Sequence, residues 1–229
     1  MVNMKDHSVY EEALRSAAMS VKANRMPMLV LWTLAIALVV AYDRFDAVAA
    51  ALEPLARWQT QGGFAAAVLN RIAFCALLPG VFLFTIPSIR PPRPAATVLA
   101  YAAWGAAWGV LCDLFFTLQA NVFGDGRDFA TVAAKTLIDQ LLWTALFCTP
   151  LNTLFFAWVA SGFRRIPIAA TLRTGFLPML FVNWIVWWPV SAVVYMFPLP
   201  LQIQLVGLAG ACWMLAALAA GTRKKGTCP

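Results

Sequence analysis

The chain has 229 residues, 62% of them apolar and 12% charged, with a formal net charge of +7. A soluble domain carries roughly 45–50% apolar and about 25% charged residues, so this composition leaves too little polar surface to coat a globule in water. The mean hydropathy of +0.76 agrees. Soluble enzymes, disordered tails and disulfide-rich secreted modules are excluded, and the expected fold class is all-α, a polytopic membrane helix bundle.

Residues 1–25 form a polar segment in which Val9, Tyr10, Ala13, Leu14, Ala17, Ala18 and Val21 recur at helical spacing. Such a stripe predicts an amphipathic helix in the headgroup plane or against a partner. Asp6, Glu11 and Glu12 argue against a secretory signal peptide and against a cleaved mitochondrial presequence. Charge-free stretches then mark the crossings, because spanning a hydrocarbon core of about 30 Å takes about 20 apolar residues. Met26–Tyr42 is the first, and Ala47–Ala56 reads as a second interfacial helix behind it. Ile72–Ile89, extending back toward Gly63, is the second; Pro94–Cys112, apolar on to Leu118, is the third; Gln140–Phe163 is the fourth. Thr174–Thr222 runs for 49 residues without a charge, too long for one crossing. Pro198-Leu199-Pro200 divides it into Thr174–Phe197 and Leu201–Gly221, since proline removes a backbone donor and disfavours helix before it. The spans thus number about six, over residues 26–222, followed by a basic tail at 223–229.

With both termini on one side, twelve of the 17 Lys and Arg fall there, and Arg44, Arg57, Arg71, Arg127 and Lys135 fall on the other. Basic residues favour the cytoplasmic or matrix face, which predicts both ends on that side. The positive charge then belongs to loops meeting anionic lipid headgroups, not to nucleic acid, because no basic run exceeds three residues.

Cys75, Cys112, Cys148 and Cys212 lie in separate spans, Cys228 is in the tail, and the single histidine is His7. No C-x-x-C pair is present, so the thiols read as small apolar fillers and no metal, cofactor or redox centre is expected. No nucleophile set or phosphate loop is present either, and the chain is read as a non-enzyme.

Charges within the hydrocarbon need a partner or a role. Arg71, Asp113, Asp139 and Gln140 are predicted at similar depth near the outer face. They form either an outward polar vestibule or a buried ion pair of Arg71 with Asp113 or Asp139. An aspartyl dyad is disfavoured because Asp139 is expected to begin its helix. Gly105-x-x-x-Gly109 and Gly207-x-x-x-Ala211 allow close helix approach. Asn183, Trp184, Trp187, Trp188 and Pro189 mark a helix-packing or partner face on the fifth span, and Pro79, Pro150 and Pro189 should kink their helices.

The order of these marks from Gly105 onward resembles the Mpv-seventeen/PMP-twenty-two family of mitochondrial inner-membrane and peroxisomal membrane proteins. The family's G-P-x-x-H-x-W-Y stretch is answered by Gly109-Val110-Leu111-Cys112-Asp113-Leu114-Phe115-Phe116, and its K-x-x-x-D-Q by Lys135, Asp139 and Gln140. Its N-W-x-x-W-P is similar to Asn183-Trp184-Ile185-Val186-Trp187-Trp188-Pro189, with one extra residue, and its V-P falls at Pro200. About half the chain is covered. Departures are Asp113 for the family histidine, Ala192 for its glutamine, Tyr195-Met196 for its Asn-Phe pair and Gln204 for its arginine. The resemblance implies a mitochondrial inner membrane, with a bacterial inner membrane or a peroxisomal membrane as alternatives, and a weakly selective pore. Loss of those polar groups instead favours a non-catalytic structural subunit that contacts lipids and partner membrane subunits.

Overall fold

In a computed structural model of the chain, residues 25–26 and 28–225 are described, with side chains up to Cys212 except Ser88. The expected amphipathic arm and the end of the basic tail lie outside the described residues. Among those described, the fold is all-helical, with no strand. A first helix, α1, covers residues 28–44. It is followed by α2 (Asp46–Ile72), a π-helical turn at Ala73–Leu77, and α3 (Leu78–Thr85). Then come α4 (Pro94–Phe123), α5 (Phe129–Ile138), a second π-helical stretch at Asp139–Cys148, α6 (Thr149–Ala160), α7 (Ile168–Val194) and α8 (Leu199–Lys225). Four continuous units are long and apolar enough to cross a membrane: Asp46–Thr85, Pro94–Phe123, Phe129–Ala160 and Ile168–Val194. This is an integral membrane protein.

Two expected boundaries move, and both changes bury charge. Asp139 does not begin its helix; it lies ten residues beyond Phe129, inside a continuous 32-residue unit. The start is set by Asp128, whose carboxylate accepts a hydrogen bond from the Thr131 amide at 3.1 Å and so caps the first turn. The Thr131 hydrogen bonds hold that carboxyl below the usual carboxylate range. Lys135 does not interrupt the helix because its ammonium, on a fully buried side chain, reaches back to Asp125 at 3.7 Å. The other change is in α2, where the helix that takes in Ala47–Ala56 runs from Asp46 to a break, and the second span extends back to that break. The break comes at Gly63, whose φ of 46° and ψ of −128° suit only glycine. Arg71 therefore sits eight residues past the break, within its span and not at its mouth.

The π-helical turns answer the prolines. A proline inside a helix removes the bond to the carbonyl four residues back and crowds that carbonyl. For Pro79 that residue is Cys75 and for Pro150 it is Leu146, and each lies in a π-helical stretch that ends just before the proline's helix. The widened turn absorbs the clash and rotates the residues that precede it. Pro178 and Pro189 remain inside α7 without such a turn.

Glycines set how closely the helices approach. A Cβ on Gly109 would meet the Val68 Cα at 2.7 Å and the Ala67 carbonyl oxygen at 2.8 Å, and one on Gly105 would meet the Arg71 carbonyl oxygen at 2.8 Å. Gly207 likewise brings α8 onto the Asn70 side chain. Around α2 these contacts gather α4 and α8, and Trp108, Phe116, Val190, Tyr195 and Ile203 fill the adjoining core. Gly109→Ala should therefore destabilise the fold by about 1–3 kcal/mol, the usual range for overpacking. At Gly210 a Cβ would meet only Arg71 Nη1, at 3.4 Å, so Gly210→Ala should be tolerated. Thermal unfolding in detergent reads both outcomes.

Candidate functional site

The second half of α2 carries Arg71, 7% exposed, into the middle of the bundle. Its Nη2 donates to Cys112 Sγ at 3.1 Å, its Nη1 donates to the Val206 carbonyl at 3.4 Å, and its Nε has no partner. No ion pair within 4.0 Å joins Arg71 to Asp113 or Asp139, which corrects the expected pairing. Helical geometry supplies one reason. Cys112 faces Arg71, so Asp113, the next residue, is rotated about 100° around α4. Asp113 turns instead to the part of α2 before Gly63 and accepts from Gln59 Nε2 at 3.0 Å.

Asp139 is buried at the start of the second π-helical stretch, among Gln140, Thr144, Ser191 and Tyr195. Gln140 Nε2 donates to Asp139 at 3.2 Å and to the Ser191 hydroxyl at 3.1 Å, while Gln140 Oε1 is buried without a partner. Every group on this carboxylate is neutral. The buried cation and the buried carboxylate are thus held apart, each served by uncharged neighbours.

Both open onto one cavity of about 140 Å³. Arg71, Asp139, Gln140 and Ser191 line it, together with the indoles of Trp104, Trp108, Trp143 and Trp187. The two π-helical stretches supply Cys75, Asp139, Gln140, Trp143, Thr144 and Cys148 to its wall. Such turns recur at functional sites because they redirect side chains without ending a helix. On α4 the lining runs from Tyr101 to Phe116. At 1.5 Å per residue that is about 22 Å, most of a hydrocarbon core. The polar groups Asp139, Gln140 and Ser191 mark the end near Gly124. The other end is mainly aromatic: Tyr101, Trp104 and Phe156 line it, with Asn152, whose Oδ1 accepts from Trp104 Nε1 at 3.3 Å.

Asp113 stands outside this cavity and belongs to a different network. Gln59 Oε1 accepts from Gln204 Nε2 at 2.7 Å, and Gln204 in turn accepts from the Asn70 amide. An unbroken chain of side chains, Asp113–Gln59–Gln204–Asn70, so ties α4, α2 and α8 together. Sequence reasoning missed Gln59 and Asn70. Their signal was there: an amide in an apolar helix needs a partner. Of the expected packing face, Asn183 donates to Thr149 Oγ1 at 3.2 Å and Trp184 Nε1 donates to the Gln140 carbonyl at 3.0 Å. With Trp187 on the cavity wall, much of this face is engaged inside the chain; Trp188 and Pro189 are half-buried beside it.

Gln59→Leu should cost about 1–3 kcal/mol, because it leaves Asp113 and Gln204 without their shared partner. Adding Asp113→Leu should recover part of that loss in the same unfolding assay, since removing both partners is milder than removing one. No family model, curated protein or solved structure matches this chain, so the cavity's own chemistry carries the functional reading.

Proposed function

We propose that the chain is a non-catalytic integral membrane protein that passes small solutes through its bundle, closed at rest by an aromatic constriction. The observation that carries this reading is a cavity inside the bundle, touched by α4 residues from Tyr101 to Phe116, with charged and amide groups on its wall. A purely structural subunit has no use for an unpaired buried guanidinium, which is costly within a hydrocarbon core. The resemblance to the Mpv-seventeen/PMP-twenty-two family, whose members are described as weakly selective pores, supports the same class. The aromatic end argues against a standing open pore, because a narrow apolar constriction dewets and blocks ions.

We further infer six crossings, with α1 and α8 completing the four long units, and both ends on the matrix or cytoplasmic side. Arg90 and Arg93 in one turn and Arg164 and Arg165 in another lie at a single end of the bundle, which fits that side. Membrane-impermeant thiol labelling at Arg127→Cys and Arg164→Cys should modify the two positions from opposite faces; labelling of both from one face overturns the topology.

In liposomes the purified protein is expected to be electrically silent yet to admit small polar solutes faster than protein-free vesicles. Trp104→Ala should raise that rate several-fold by thinning the constriction. No uptake above background in either protein, together with a native mass fixed by other membrane subunits, would favour the structural-subunit reading.

A further inference from the structure

The cavity holds one group of each sign, and neither neutralises the other. Arg71 has a buried Nε without a partner and two donors spent on a thiol and a backbone carbonyl, both weak matches for a guanidinium. Asp139 has no cation, and the neighbouring Gln140 Oε1 is an unused acceptor. Cys112 lines the same cavity and accepts from Arg71. A ligand that carried only an anion would satisfy Arg71 while meeting the negative charge of Asp139. One that carried only a cation would face the converse.

We infer that the cavity binds a small zwitterion, its carboxylate on Arg71 and its ammonium on the side of Asp139. The indoles on the same cavity wall suit such a ligand twice over. Their faces accept an alkyl body, and they attract an ammonium through the ring quadrupole, for which tryptophan is the best side chain. The volume sets the size. A cavity of about 150 Å³ takes benzene, and the 140 Å³ here fits a compact amino-carboxylate, not a nucleotide or a lipid. The guanidinium fork matches a carboxylate bidentately, which an ammonium side chain at the same place would not do. This assignment deepens the solute-passing reading but rests only on the cavity, so binding and passage are separable.

The test uses the full-length protein in detergent, read by intrinsic tryptophan fluorescence and by thermal shift. L-Leucine and glycine betaine are the zwitterionic probes; 4-methylpentanoate lacks the ammonium of leucine and 3-methylbutylamine lacks its carboxylate. At least one zwitterion should bind tenfold or more tightly than both single-charge analogues. Arg71→Met should reduce zwitterion affinity to the level of the amine, and Asp139→Asn to the level of the acid. If Arg71→Met fails to fold, the comparison of the four probes on the unaltered protein still decides. Equal binding of 4-methylpentanoate and the zwitterions overturns the proposal in favour of a plain anion site. Absence of binding by every probe overturns it as well. Zwitterion binding with no liposome uptake would leave this inference standing and overturn the passage reading instead.

Discussion

The structure turns on one buried guanidinium. Insertion scales place the cost of an arginine at mid-bilayer at about 2.5–3.5 kcal/mol, and partners must offset it. Arg71 receives a thiol and a backbone carbonyl and no carboxylate, an arrangement that only close helix packing makes available. Gly105 and Gly109 bring α4 near enough for Cys112 to reach it, and Gly207 brings α8 near enough for the Val206 carbonyl to do so. The glycines that pack the bundle are therefore also those that hold the charge inside it.

The second constraint is backbone continuity. In hydrocarbon each freed carbonyl is expensive, so a proline cannot simply break a helix. Here the turns before Pro79 and Pro150 widen into π-helix, and the units continue as Asp46–Thr85 and Phe129–Ala160. The rotation that follows places Cys75 on one wall of the cavity and Asp139, Trp143 and Thr144 on another. Shape and chemistry of the cavity thus follow from two prolines that read, in sequence, as plain kinks.

Class and most spans were legible because hydropathy and charge-free length act locally. The glycine spacing was legible for the same reason, as were the individual polar residues Arg71, Asp113, Asp139 and Gln140. Their grouping was not. Depth along a helix depends on where it begins, and the Asp128 cap and the buried Lys135 shifted the start of the third long unit by more than two turns. Direction around a helix decided the rest: Cys112 and Asp113 are sequence neighbours, yet one faces the cavity and the other the Gln59 network. The amide chain through Gln59, Gln204 and Asn70 joins residues up to 145 positions apart, which no local pattern encodes.

A cavity runs within the bundle, with Cys75 and Cys148 on its wall. Mass spectrometry of the folded protein in lipid, after treatment with a small mercurial and separately with a bulky maleimide, tests it directly. The mercurial should modify Cys75 and Cys148 while the maleimide does not. Inertness of both thiols to the mercurial until the protein is denatured would contradict the cavity; equal labelling by the maleimide would contradict its narrow form.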